Sequence, residues 1–147
     1  MFSDEIQRQL TKFPEFGGVY PRDIIPSLIS KPYGIIVNTD DSESPGQHWV
    51  AIYVNSNGEG EYFDSYGLPP LLDEFYEHMV KNCKNTWFWN RVTLQCTDCV
   101  TCGEYCTAYL ITRFIGYNYS DYISLFTNNT YDNDYLIKIY YDVLKNK

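Results

Sequence analysis

The 147-residue sequence predicts a single α+β domain in which a small, mostly antiparallel or mixed β-sheet packs on a central buried helix. Two observations lead to this fold class. Two β-branched and aromatic segments flank the turn-forming pair Asn57-Gly58, which is typical of a hairpin. The almost wholly apolar segment Thr107–Ile115 predicts a helix that is buried on most sides. The chain shows no linker or repeat, so we expect one domain spanning residues 1–147.

The first third of the chain predicts short elements separated by turns. A helix that begins near Ser3 is ended by Pro14. We expect Phe16–Pro32 to be irregular because proline and glycine interrupt it. Tyr33–Asn38 is largely apolar, which is typical of a strand inside a sheet, and the polar segment 39–46 predicts a loop.

The predicted hairpin runs from His48 to Asp64 and is the second structural landmark. Its strands are His48–Val54 and Glu61–Asp64. An antiparallel return of this length brings Asp64 near the level of His48. We therefore expect a carboxylate close enough to orient the imidazole.

The remaining elements follow from apolar periodicity and from turn-forming residues. We expect a break at 65–70, a helix at Leu71–Lys84, a strand at Thr86–Thr93, a helix that begins near Cys102 and stops at Gly116, a short helix Asp121–Phe126 capped by Ser120, a loop at Thr127–Asp132, and a closing helix at Asn133–Lys145.

Cys102 is the candidate nucleophile, because a cysteine at the N-terminus of a buried helix is stabilised as a thiolate by the helix dipole. A general base must accompany it, and the chain contains two histidines. His78 lies off the apolar stripe of its predicted helix, so we expect it to be exposed to solvent. His48 opens a strand opposite Asp64. The sequence therefore predicts a Cys-His-Asp triad made of Cys102, His48 and Asp64.

A further candidate is Gln95, whose side-chain amide can donate to a developing oxyanion together with the backbone N–H of Cys102. Gln95 and the pair Cys102-Gly103, which begins seven positions later, form one of three sequence blocks that occur in a fixed order. The other two blocks are Gln47-His48-Trp49 and Tyr62–Gly67.

These three blocks resemble the adenovirus-type (adenain-like) cysteine protease superfamily, which includes proteases of adenovirus, virophage and Maverick-type elements and the SUMO-deconjugating proteases. The resemblance covers about Phe16 to Leu144. Phe16–Tyr20 and Ile35–Thr39 are more similar to adenain. The acidic residue Asp64, which replaces a glutamate of adenain, is more similar to the deconjugating branch.

The resemblance implies a cysteine endopeptidase that cleaves viral capsid or core precursors at glycine-containing sites. It assigns Cys102 as nucleophile, His48 as proton carrier, Asp64 as its orienting carboxylate and Gln95 as an oxyanion donor. It also implies that Trp49 packs near the imidazole, and an activating peptide can be a partner, as in adenain. The alternative enzyme is a deconjugating isopeptidase for ubiquitin-like modifiers.

Another class of function comes from the cysteine spacing C-x2-C-x2-C-x3-C, formed by Cys96, Cys99, Cys102 and Cys106. Such spacing is met in iron–sulfur ligation and can serve zinc. A metal site does not explain the histidine and glutamine blocks, so we predict neither a metal nor a cofactor. The pair Cys99 and Cys102 also has the spacing of a redox-active disulfide, which would switch the nucleophile off. Cys83 lies near the position where adenain attaches its peptide cofactor.

Composition restricts the partners and the compartment. A net charge of −8 without basic clusters argues against nucleic-acid binding. No long apolar run or signal-peptide pattern is present, and five cysteines are expected as thiols. We expect a monomer located in the host cytoplasm or nucleus and in the virion, with a viral capsid or core precursor as its substrate.

Overall fold

A computed structural model describes residues 1–27, 29–43, 48–84 and 86–147, and five strands within them form one mixed sheet. The strands are β1 Phe16–Tyr20, β2 Tyr33–Asn38, β3 Trp49–Val54, β4 Gly60–Phe63 and β5 Trp87–Trp89. They lie in chain order across the sheet. The inner pairs β2–β3 and β3–β4 are antiparallel, whereas the outer pairs β1–β2 and β4–β5 are parallel.

Helices cover both faces of this sheet. They are α1 Ser3–Leu10, α2 Asp73–Cys83, α3 Cys102–Phe114, α4 Tyr119–Ile123 and α5 Thr130–Leu144. α2 packs on one face, in a core that contains Phe75 and Met79. The other four helices pack on the opposite face around α3. Among the described residues, none of the helices has the length and apolarity needed to span a membrane.

α3 is the central element of the larger core. Its residues are buried from Cys102 to Thr112 except Glu104, which is half-buried. The helix approaches β2 closely at Gly34, where an added Cβ would lie 2.8 Å from Leu110 Cδ2. A glycine at this position lets the backbone of the sheet and the side chains of α3 come into direct contact.

The fold class and most elements predicted from the sequence are confirmed. β2 has the predicted bounds and is buried along its whole length. The hairpin, α2 and α3 are present, and α3 begins at Cys102 as predicted. Residues 44–46 of the predicted loop and the residue Gln47 lie outside the described residues.

Four predictions of element bounds are wrong. Phe16–Tyr20 is a strand rather than irregular chain, because β2 supplies a parallel partner. β5 ends at Trp89, and Arg91 adopts a left-handed φ of 50° that no strand permits. Asn118, not Ser120, caps α4. α5 begins at Thr130 because Asn129 caps it, three residues earlier than expected.

Candidate active site

Cys102 is the first residue of α3, and its side chain lies at the floor of a cleft with only 8% of the residue exposed. Burial raises the pKa of its thiol, but a hydrogen bond with His48 and backbone N–H groups of Trp49 and Gly103 lower the pKa further than burial raises it. The net pKa is below the ordinary value for cysteine. The site therefore favours a thiolate.

His48 lies immediately before β3 and connects the thiol to a carboxylate. Its Nε2 is 2.8 Å from Asp64 Oδ1, which leaves Nδ1 for the hydrogen bond with Cys102. Burial lowers the pKa of His48, but the hydrogen bonds and negative charges of Asp64 and Cys102 raise it to a net value of about 9. An imidazolium and a thiolate thus stabilise each other in this site.

Asp64 follows β4 directly and is held in place by its backbone. Its N–H donates to Asn90 Oδ1 at 2.9 Å, and Asn90 Nδ2 donates to the Asp64 carbonyl at 2.7 Å. The backbone N–H of Tyr66 donates to Asp64 Oδ1 at 2.8 Å. The carboxylate is buried and thereby fixed toward His48.

Tyr66 is a site residue that the sequence analysis did not identify. Its ring stacks on the imidazole of His48, with centroids 4.7 Å apart and planes at 19°. Continuing the β3–β4 register, in which Ala51 pairs with Phe63, places His48 opposite Tyr66. This register was the signal that could have identified Tyr66 from the sequence.

Gln95 lies in the segment before α3 and is 1% exposed. Its Oε1 accepts a hydrogen bond of 2.5 Å from Ser65 Oγ, and its Nε2 donates to the Cys99 carbonyl at 2.8 Å. These two bonds fix which end of the amide is the donor. Gln95 also lines the cleft, so its amide is held in a fixed orientation beside Cys102, as an oxyanion donor must be.

The cleft brings the four predicted site residues together. Its volume is about 600 Å³, and its lining includes His48, Trp49, Tyr66, Gln95 and Cys102. Asp64 lies behind His48 at hydrogen-bond distance. The indole N–H of Trp49 donates to the Met1 carbonyl at 3.1 Å. The ring that stacks on the imidazole of His48 is that of Tyr66.

Two residues have environments other than those the sequence suggested. His78 is buried rather than exposed, and its Nε2 lies 2.8 Å from the Tyr33 hydroxyl. It is a buried residue of α2 itself and is not part of the cleft lining. Cys83 is 3% exposed, and burial raises the pKa of its thiol to about 11. An attachment point for a peptide cofactor would need an accessible thiol, so Cys83 does not fit that role.

The four closely spaced cysteines do not share one centre. Cys102 binds His48, whereas Cys106 is fully buried and donates to the Trp49 carbonyl at 3.3 Å. Cys99 makes its side-chain hydrogen bonds with Asp134 and Cys96 rather than with Cys102. The contacts therefore do not support the alternative of a four-cysteine metal site. The Cys99–Cys102 disulfide stays a prediction for which the contacts give no support.

This arrangement is suited to acyl transfer. A buried thiolate, an imidazolium that can return a proton, and an oriented amide donor lie in one cleft that is open to a substrate. These are the groups needed to form and break a thioester.

Comparison with known proteins agrees with this chemistry. No family model matches the chain. The chain is 30% identical over 103 residues to a cysteine protease of African swine fever virus from a Malawian tick isolate. The matched region covers 63% of this chain and 37% of the viral protein. The protein of another isolate of that virus, 29% identical over 103 residues, is named a SUMO-1 cysteine protease. The chain thus spans little more than a third of the length of these relatives.

Solved structures extend the comparison to the fold. The central domain of the uncharacterized Lpg1148 protein from Legionella pneumophila superposes with a TM-score of 0.55 at 18% identity, covering 100% of this chain and 98% of that one. The two share a fold. The solved protease of African swine fever virus matches 74% of this chain and 42% of its own at 28% identity, with a TM-score of 0.45. The sequence homology to the viral protease confirms the predicted resemblance to the adenain-like cysteine protease superfamily.

Proposed function

We propose, from the homology to a viral cysteine protease and from the cleft geometry, that this chain is a cysteine endopeptidase that cleaves viral capsid or core precursor proteins. The observation that carries the proposal is the continuous series of hydrogen bonds from the Cys102 thiol through His48 to Asp64. Its substrate is cleaved at glycine-containing sites. We further propose that it acts as a monomer in the host cytoplasm or nucleus and in the virion.

Catalysis begins with attack of the Cys102 thiolate on the scissile carbonyl carbon. The carbonyl π-electrons move to oxygen, and the oxyanion is stabilised by the backbone N–H of Cys102 and by Nε2 of Gln95. The His48 imidazolium gives its proton to the leaving amine as the C–N bond breaks, and a thioester remains. Neutral His48 then takes a proton from water, the hydroxide attacks the thioester, and the acid product leaves with the thiolate restored.

Two further residues position the base. Asp64 accepts from Nε2 of His48 and so directs Nδ1 toward the thiol. Tyr66 stacks on one face of the imidazole ring and restricts its orientation. Neither residue takes part in bond making.

A second candidate function is removal of a ubiquitin-like modifier. The SUMO-1 protease name of a homologue favours it. Both activities proceed through a thioester, because in each the Cys102 thiolate attacks a carbonyl carbon. They differ in the leaving group, which is a main-chain amine in an endopeptidase and a lysine side-chain amine in a deconjugating enzyme.

A paired-substrate assay distinguishes the two functions. The protein would be incubated with a linear peptide from a candidate capsid precursor and with a branched peptide in which the same Gly-Gly sequence is joined to a lysine Nζ. Cleaved products would be identified by mass spectrometry, with Cys102→Ala as the inactive control. The proposal predicts cleavage of the linear peptide. Cleavage of only the branched peptide would establish the second function instead, and equal cleavage by Cys102→Ala would exclude both.

A further inference from the structure

Beside the cleft lies a second group of reactive side chains that the proposed mechanism does not use. The thiols of Cys96 and Cys99 and a carboxylate oxygen of Asp134 all lie within 4.8 Å of one another. In the part of the chain that the structure describes, this is the one group of three or more such side chains close enough to hold a metal ion. Cys96 and Asp134 are buried, and Cys99 is half-buried.

We propose that Cys96, Cys99 and Asp134 form a zinc site. Two thiolates and one carboxylate are ligands that zinc accepts, and a tetrahedral ion with three protein ligands keeps one position for water. Cys99 is the half-buried member of the group, so water can reach the site and supply the fourth ligand. Ligand atoms of tetrahedral zinc lie about 3.8 Å apart for Zn–S bonds of about 2.3 Å, so atoms that already lie within 4.8 Å of one another need to approach by no more than about 1 Å.

The surroundings of Asp134 match those of a metal-bound carboxylate. Its Oδ1 accepts from the hydroxyls of Thr101 at 3.0 Å and Tyr105 at 2.9 Å, and its Oδ2 accepts from the Cys96 backbone N–H at 2.8 Å. Among the described residues its hydrogen-bond donors are neutral, and it forms no ion pair with a Lys or Arg side chain. A buried carboxylate directed by neutral donors is compatible with binding a cation.

The site would join α5, which carries Asp134, to the segment that precedes α3. The Cys99 carbonyl accepts from Gln95 Nε2 at 2.8 Å, so fixing Cys99 also fixes the oxyanion donor. Cys102 is not a zinc ligand in this site, because its thiol forms a hydrogen bond with His48. The metal and the nucleophile can therefore be present together. Binding of one Zn²⁺ replaces the protons of two thiols, which leave to solvent.

Zinc binding would be measured in Cys102→Ala, which removes the catalytic thiolate as a competing ligand. The protein would be stripped with a chelator under a phosphine reductant and titrated with zinc against a chromophoric chelator. Cobalt would serve as a spectroscopic probe, since thiolate ligands give a charge-transfer band. We expect one zinc per chain and a tetrahedral, thiolate-containing cobalt spectrum.

Matched variants in the same background locate the ion. Cys99→Ser, at a half-buried position that should tolerate the change, is expected to weaken zinc binding by more than about 100-fold, and Thr101→Val by about 10-fold. Cys83→Ala is the control and should leave the affinity unchanged, with folding checked by circular dichroism. Absence of bound zinc, or equal affinity in a Cys96→Ser/Cys99→Ser double variant, would overturn the proposal. Because an inactive protein is used, neither result bears on the protease function.

Discussion

At the scale of single residues, two opposing effects set the reactivity of the cleft. Burial disfavours both charged groups, whereas the hydrogen bonds and charges that Cys102, His48 and Asp64 exchange favour them. The second effect prevails for both residues. The pKa of Cys102 lies below its ordinary value and that of His48 is raised to about 9, so each group favours the charged form of the other.

We predict a bell-shaped pH dependence of kcat/KM. Activity should rise with deprotonation of Cys102 and fall again near pH 9, where His48 loses its proton. Asp64→Asn removes a negative charge that raises the pKa of His48, so the alkaline limb should move to lower pH. Steady-state rates with a cleaved peptide would measure this. An alkaline limb that stays in place in Asp64→Asn would show that the carboxylate does not act on His48.

The second residue-scale prediction concerns the oxyanion donor. Gln95→Ala should lower kcat by about 100- to 1000-fold with little change in KM, because the lost bond forms chiefly in the transition state. Ser65→Ala should cause a smaller loss, since Ser65 only fixes the orientation of the amide. Single-turnover and steady-state kinetics would separate these effects. An unchanged kcat in Gln95→Ala would assign the oxyanion donor to another group.

At the scale of elements, a buried ion pair joins α3 to β4. Arg113 Nε and Nη2 donate to the two carboxylate oxygens of Glu61 at 3.0 and 2.9 Å, and the Tyr109 hydroxyl also donates to Glu61. The side chains of Arg113 and Glu61 are 14% and 11% exposed. These contacts fix the helix that begins at the nucleophile against the strand that ends before Asp64.

Arg113→Ala should lower the free energy of unfolding by about 3 kcal/mol, because it leaves the Glu61 charge buried and without a cation. The matched control is Lys145→Ala, which removes a solvent-exposed ion pair with Asp142 and should cost less than about 0.5 kcal/mol. Urea unfolding of both variants gives the comparison. Equal losses of unfolding free energy in the two variants would show that the Arg113–Glu61 pair stabilises the fold no more than an exposed ion pair does.

The elements also show what the sequence could and could not provide. The bounds of β2 and the start of α3 follow from local apolar patterns, and they were predicted correctly. β1 contains Gly17 and Gly18 and becomes a strand only through pairing with β2, which no local pattern reveals. The contact of Tyr66 with His48 likewise depends on register, a property of two segments together.

At the scale of the whole molecule, two separate cores on the two faces of the sheet support a site built from four segments. His78 is buried beside the second core, and its hydrogen bond to Tyr33 joins α2 to β2. Burial lowers the pKa of His78 to about 4. Its expected exposure was wrong because α2 buries a wider face than its apolar stripe alone indicates.

This buried histidine predicts acid sensitivity of the fold. The unfolded chain binds a proton at His78 below about pH 6.5, which the folded chain does not bind until about pH 4. Stability is therefore complete above the unfolded pKa and falls as the pH decreases, by up to about 3 kcal/mol. Urea unfolding between these pH values should show a smaller decrease in His78→Gln. Identical pH dependence in the variant would contradict this role of His78.

The central claim is that His48 makes Cys102 a thiolate, and it can be tested without knowledge of the substrate. The measurement is the rate of alkylation of each cysteine by iodoacetamide as a function of pH, with peptide mass spectrometry to separate the sites and a chelator present. Cys99 is the internal reference, because hydrogen bonding to Asp134 raises the pKa of its thiol to about 12. We expect Cys102 to react at pH 7 much faster than Cys99, and to lose this advantage in His48→Ala. Equal rates for the two cysteines, or a Cys102 rate that is unchanged in His48→Ala, would contradict the account.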